Sequence, residues 1–174
     1  MQFDPGFHWR GCVAIALALL APGLAMAHDS HSLISTNKKD SKMDQIAKGP
    51  FDVKLTPQSD ADVDARIGRM TIVKQFHGDL EANSSGQMLS AMGEVQGSAG
   101  YVAIERVVGT LQGREGSFVL QHSGTMNRGS PQLTLTVVPD SGTGQLVGLA
   151  GSMEIIITDG KHAYAFSYSV AGSP

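Results

Sequence analysis

The chain has one cysteine among its 174 residues, Cys12, and it lies in the N-terminal apolar segment. If that segment is removed, the remaining protein has no disulfide, no thiolate metal ligand and no cysteine nucleophile. Basic residues are also few, since 13 Lys and Arg stand against 16 Asp and Glu. Proteins that bind nucleic acid usually carry a basic stripe that neutralises phosphates. We therefore expect no nucleic-acid partner.

Familiar catalytic motifs are absent as well. The chain contains no Gly-x-Ser-x-Gly nucleophile elbow, no glycine-rich dinucleotide fingerprint and no zinc-protease motif. These absences argue against a serine hydrolase, a dinucleotide-dependent oxidoreductase and a zinc protease. We expect no cofactor and no bound metal.

A long apolar run is missing, and the short one present has the form of a targeting segment. Arg10 precedes the apolar stretch 11–20, and Ala25-Met26-Ala27 fits the cleavage pattern ahead of His28. We expect a signal peptide at 1–27, no stable membrane span after cleavage, and export to the periplasm or the medium. The polar stretch 28–48 is predicted to be a flexible tether.

The remaining stretch, 49–174, is predicted to be one β-barrel domain. Aromatic residues make up only 6% of the chain and glycine is abundant at 21 residues, which suits many tight turns. No stretch has the periodicity of an amphipathic helix, and short alternating runs separated by turns predict eight strands. The predicted strands cover residues 51–55, 66–78, 87–96, the two arms of 101–126, 131–139, 145–158 and 162–170. The fold class is therefore all-β, a single antiparallel eight-stranded up-and-down barrel or, as an alternative, a sandwich.

The hairpin at 101–126 holds the best candidate for chemistry. With a two-residue turn at Gly113-Arg114, the register places Glu105 directly opposite His122 and Arg106 opposite Gln121. Both faces of the hairpin are mixed, so the alternation does not decide which one points inward. A second turn is predicted at Ser84-Ser85-Gly86.

Three chain segments resemble a known family. They are KGPFDVKLTPQ, GEVQGSAGYVAIERVVGTLQGREGSFVLQHSGTM and VVPDSGTGQLVGLAGSM. The chain is similar there to a bacterial family known as domain of unknown function 3224, over about residues 48–170. The resemblance implies a barrel like that of allene oxide cyclase, whose plant enzymes cyclise a fatty-acid epoxide. It assigns no catalytic residue to a position of this chain.

Three functions remain open. The first is a binding barrel that holds a small apolar molecule against side chains such as Met88, Tyr101, Phe118 and Tyr164. The second is an isomerase or cyclase in which Glu105 and His122 transfer a proton. The third is a structural module with a filled interior, which packs against copies of itself as a homo-oligomer. In that case Glu105 and His122 would be a structural ion pair.

Overall fold

The protein folds as a closed antiparallel barrel of eight strands in sequence order. This computed structural model describes residues 45–59 and 66–171, so the predicted signal peptide and most of the predicted tether lie outside the described residues. The strands are β1 (Gln45–Gln58), β2 (Ile67–Phe76), β3 (Leu80–Met92), β4 (Ala99–Leu111), β5 (Arg114–Asn127), β6 (Ser130–Val137), β7 (Leu149–Thr158) and β8 (Lys161–Val170). The predicted all-β up-and-down barrel is confirmed.

The first strand begins earlier than the sequence suggests. β1 starts at Gln45, within the stretch predicted to be a tether, and its first half pairs with β8. The seventh strand starts later, at Leu149, because a short 3₁₀ turn occupies Gly144–Leu146.

The predicted turn at Ser84-Ser85-Gly86 is wrong, because these residues lie inside β3. The chain turns before β3 instead, where Gly78 takes a left-handed φ of 93°. Gly86 is needed for the close approach of β3 to β4 rather than for a turn. A Cβ at this position would lie 2.6 Å from the Cβ of Glu105 and against the carbonyl oxygen of Ile104.

The turn between β4 and β5 is also one residue earlier than predicted. Gln112 and Gly113 occupy it with φ of 46° and 82°, and both values are left-handed as in a type I′ turn. Gln112 is held there by its side chain, which contacts the hydroxyl of Tyr168 at 2.7 Å and donates to the carbonyl of Ile46 at 3.0 Å. The turn therefore also closes one end of the barrel.

The earlier turn changes the register of the hairpin. Glu105 faces Leu120, His122 faces Ala103, and Arg106 faces Val119. The predicted direct pairs of Glu105 with His122 and of Arg106 with Gln121 are therefore wrong. Because the register shifts by two residues, Glu105 and His122 still share one face of the sheet.

That shared face points into the barrel, and one half of the interior is solidly packed. Phe118 stacks on Phe166 with ring centroids 5.7 Å apart, and Phe166 stacks on Tyr168 at 5.2 Å. Tyr164 anchors the same half, because its hydroxyl accepts a hydrogen bond from the amide of Leu80 and donates to the carbonyl of His77. We call this half the aromatic half.

The inward side chains of the other half are less completely buried, and we call it the open half. Its inward positions include Met88, Tyr101 and Met126, which remain partly exposed, and Ile155, which is partly exposed but packs against the buried core. This open half lies at the end of the barrel where β3 ends and β4 begins. Its lining is mostly apolar and includes adaptable methionines.

The outer wall carries exposed aliphatic side chains. Leu89, Val102 and Ile104 are 49%, 55% and 51% exposed and lie on neighbouring strands. The expected homo-oligomer stays a prediction. No helix among the described residues is long and apolar enough to cross a membrane.

Replacing Gly86 by Ala tests the close approach of β3 and β4. We expect a loss of about 1–3 kcal/mol in the free energy of unfolding, because the new methyl group overlaps the Glu105 backbone and side chain. The measurement is urea denaturation followed by circular dichroism. Gly100→Ala is the matched control on β4, since the nearest atom to its Cβ is 3.9 Å away. Equal stabilities of the two variants would contradict the assignment.

Candidate functional site

Four polar side chains meet inside the barrel, midway along its strands. Lys74 comes from β2, Ser84 from β3, Glu105 from β4 and His122 from β5. All four are buried, with exposures of 6%, 4%, 0% and 5%. We call them the interior polar cluster. It separates the aromatic half from the open half.

Glu105 is the centre of this cluster. Its Oε1 accepts a hydrogen bond from Lys74 Nζ at 2.8 Å, and its Oε2 accepts one from Ser84 Oγ at 3.3 Å. The neighbouring Gly86 leaves the space in which the carboxylate chain lies. One carboxylate thus links three adjacent strands.

His122 approaches the same carboxylate less directly. Its Nε2 lies 3.3 Å from Glu105 Oε1, close enough for an ion pair if the ring is protonated. The relative orientation of the ring and the carboxylate does not satisfy a hydrogen bond. This buried nitrogen therefore has no hydrogen-bond partner among the described residues. A buried polar atom without a partner is costly and often marks a functional position.

The charge of Glu105 is stabilised by its neighbours. Burial alone would raise its pKa, but contact with His122 and the positive charge of Lys74 outweigh burial and hold the pKa below its ordinary value of 4.5. Lys74 is itself placed over two rings, with its ammonium 5.5 Å from the centroid of Phe51 and 5.7 Å from that of Phe76. Cation–π attraction offsets part of the cost of burying the ammonium.

Tyr101 borders the cluster on the open side. Its ring lies flat against Gly124 of β5, where any side chain would collide with the ring. Burial raises the pKa of its hydroxyl, and the negative charge of Glu105 raises it further.

The four predicted ligand-binding residues fall in two different places. Met88 and Tyr101 line the open half, whereas Phe118 and Tyr164 are 1% exposed and pack in the aromatic half. The predicted catalytic residues, Glu105 and His122, are brought together. The binding and catalytic roles of these residues stay predictions.

Two members of the cluster were not predicted from the sequence. Lys74 falls on the inward face of β2 by simple alternation with Met70, Ile72 and Phe76. Its inward position could therefore have been predicted from the sequence. Ser84 was lost because its segment was interpreted as a turn.

A second polar feature lies on the outer wall and is separate from the cluster. Arg106 donates to Ser117 Oγ at 2.9 Å, beside a shallow pocket of about 450 Å³. Ser117 Oγ also shares a hydrogen bond with Thr143 Oγ1 at 2.8 Å. These polar groups satisfy one another. The described residues contain no group of three or more His, Cys, Asp or Glu side chains arranged to hold a metal ion.

Breaking the buried ion pair should cost far more than removing it whole. Lys74→Met or Glu105→Leu alone should lower the free energy of unfolding by about 3–5 kcal/mol, because each leaves an uncompensated buried charge. The double variant should be more stable than either single variant. Urea denaturation of the four proteins measures the cycle, and strictly additive losses would refute the coupling. His77→Gln, which removes an exposed pair with Glu81, is the control and should cost less than about 1 kcal/mol.

Acid should weaken the barrel through Glu105. Because its folded pKa is depressed, the carboxylate stabilises the fold above about pH 4.5, and this contribution is lost as the pH falls through the folded pKa. Thermal unfolding between pH 7 and pH 3 should therefore show a flatter acid limb for Glu105→Gln than for the native protein. Glu115→Gln, at an exposed position, should keep the native slope. An unchanged slope in Glu105→Gln would overturn this assignment.

Comparison with known proteins places the chain in a family. The sequence profile of the family described as "Protein of unknown function (DUF3224)" matches residues 47–168. A crystal structure of a DUF3224-family protein of unknown function from Shewanella oneidensis MR-1 is 53% identical, with a TM-score of 0.71. That match covers 75% of this chain and 99% of the other. No curated protein matches the chain. The likeness to allene oxide cyclase stays a prediction, and the chain belongs to the DUF3224 family.

Proposed function

We propose that this barrel binds a small, predominantly apolar molecule in its open half. One observation carries the proposal: the inward-facing apolar side chains of the open half remain partly exposed, while those of the aromatic half are buried. Exposed apolar surface in a concave place is typical of a ligand site. Methionines such as Met88 adapt to ligands of different shape.

The interior polar cluster forms the floor of the proposed site. Its Lys74–Glu105 pair is neutral as a whole, so the floor does not demand a charged ligand. Tyr101 presents a hydroxyl that has no hydrogen-bond partner among the described residues. A ligand with one polar group and an apolar body fits this arrangement.

We also propose that the barrel works after export. The apolar segment 11–20 and the small-x-small pattern at 25–27 support a cleaved signal peptide. The absence of cysteine beyond position 12 is compatible with an oxidising compartment, since no thiol remains to form unwanted disulfides.

Proton transfer is the second candidate function. It is favoured by the 3.3 Å approach of His122 Nε2 to a carboxylate whose pKa is lowered. In this case Glu105 would keep the imidazolium in place while His122 exchanged a proton with the ligand, as in an isomerase or cyclase. The full burial of Glu105 weakens this candidate, because the carboxylate itself does not reach the open half.

Ser90→Phe tests the binding site. Ser90 is a partly exposed inward residue that pairs with Tyr101, so a phenyl ring there would fill the open half. We expect the affinity for 1-anilinonaphthalene-8-sulfonate, an anionic fluorescent probe with an apolar ring system, to fall at least about tenfold, which is about 1.4 kcal/mol or more. Fluorescence titration of the exported protein measures it.

Leu89→Phe is the matched control, because Leu89 directly precedes Ser90 in β3 and points outward. It should bind the probe as the native protein does. If Ser90→Phe binds the probe unchanged, or if both variants lose it equally, the proposed site is wrong. Native mass spectrometry of the protein purified from its host would identify a retained natural ligand by its mass.

A further inference from the structure

The barrel wall has one weak joint, which lies between β6 and β7. These strands share a single pair of facing residues, Thr136 and Ser152. By contrast, β4 and β5 pair along their whole length, from Ala99 with Met126 to Leu111 with Arg114. No other facing pair joins β6 to β7 within the described residues. We call this joint the seam.

The connection between the two strands explains the seam. A two-residue turn aligns β4 with β5. The connection between β6 and β7 is much longer, because it consists of residues 138–148, and it lies over β5. There the backbone amide of Thr143 donates to Ser117 O at 2.8 Å, and Ser141 Oγ accepts from the amide of Val119 at 3.1 Å. The long connection is therefore anchored to β5 and does not impose a register on β7.

The unpaired stretch of the seam lies on the open side of the barrel. Thr136 and Ser152 lie near the ends of the strands that border the aromatic half, so the unpaired parts of β6 and β7 flank the open half. Leu133 has the inward alternation of Leu135, yet it is 41% exposed whereas Leu135 is 2% exposed. Leu133, on the β6 side of the seam, is thus apolar and accessible, whereas the neighbouring inward residues Leu135 and Met153 are buried.

Another part of the rim, formed by two neighbouring connections, is tied more firmly. The loop between β3 and β4 is joined to the turn between β5 and β6, because the Gly129 amide donates to Gly97 O at 2.9 Å. The Arg128 amide also donates to Ser98 Oγ at 3.2 Å. Strands β3 to β6 are thereby held together at the open end, and the seam lies beside this tied block.

We infer that the binding site opens sideways through the seam, and that it takes an elongated molecule with a narrow apolar end. The inference rests on the proposed function. From His122 at the floor to Met126 near the mouth the strand advances about 13 Å, so a longer ligand does not fit upright inside the open half. Such a ligand extends along Leu133 and Ile155 and passes outward between β6 and β7.

A reversible cross-link tests the seam. Extending the register from Thr136 and Ser152 places Thr134 opposite Glu154, and both side chains point outward and are exposed. In the variant Thr134→Cys/Glu154→Cys a disulfide would lock the wall without entering the interior. The predicted mature chain has no other cysteine, so the cross-link is unambiguous.

The probe is cis-parinaric acid, a fluorescent polyene fatty acid that has a narrow apolar end and a chain longer than the open half. Stopped-flow fluorescence should show association at least about tenfold slower in the oxidised variant, with the native rate restored by reductant. The control is Val102→Cys/Ser123→Cys, a facing outward pair on β4 and β5, which should bind at the native rate when oxidised.

The possible results distinguish a failure of the seam from a failure of the proposed function. Equal rates in the oxidised and reduced seam variant would overturn the seam and leave the proposed function standing. Absence of probe binding in the native protein would overturn both. Hydrogen exchange gives an independent readout: backbone amides in 132–135 and 153–157 should exchange faster than those in 102–107. Equal protection of these segments would also overturn the seam.

Discussion

The ion pair between Lys74 and Glu105 is the interaction on which the rest of this barrel depends. Two charges at the centre of a barrel are costly to desolvate, and they persist only when they neutralise and bond each other. The surrounding structure supplies what this requires. Ser84 donates to the second carboxylate oxygen, two rings flank the ammonium, and Gly86 lets the strands approach.

The ion pair also divides the interior into two environments. On one side lie stacked aromatic rings, with Tyr164 and Tyr168 bonded to polar groups at the closed end. On the other side the wall is lined by partly exposed apolar side chains, with Tyr101 lying against Gly124. A barrel of eight strands is just wide enough to be filled by side chains or to hold one small ligand. In this barrel, side chains fill the aromatic half. The open half is where binding is proposed.

Much of the fold could be predicted from the sequence, because it depends on local signals. Alternation and turn residues give the all-β class and the number of strands, and the family resemblance adds the barrel. The register could not be obtained in the same way. Gln112 rather than Arg114 occupies the turn, since its side chain contacts Tyr168 from a distant strand. Likewise Gly86 has the composition of a turn, although its role is to accommodate Glu105 from β4.

The site was predicted only in part, for the same reason. Glu105 and His122 stood out as the single acid and the single histidine of their strands, and a register error of two residues preserved their shared face. Lys74 was visible in the alternation of β2, but its partner lies on a strand two positions away in the sheet. No sequence pattern distinguished the packed Phe118 from the accessible Met88. Their difference in burial depends on contacts between distant strands that close the barrel at the aromatic half.

The most direct test of a barrel divided into a filled and an open half is a crystal structure of the protein under xenon pressure. Xenon occupies apolar cavities that have room for it. Xenon should bind in the open half, between Met88 and Met126, and not among Phe118, Phe166 and Tyr168. Xenon in the aromatic half, or none in the open half, would contradict it.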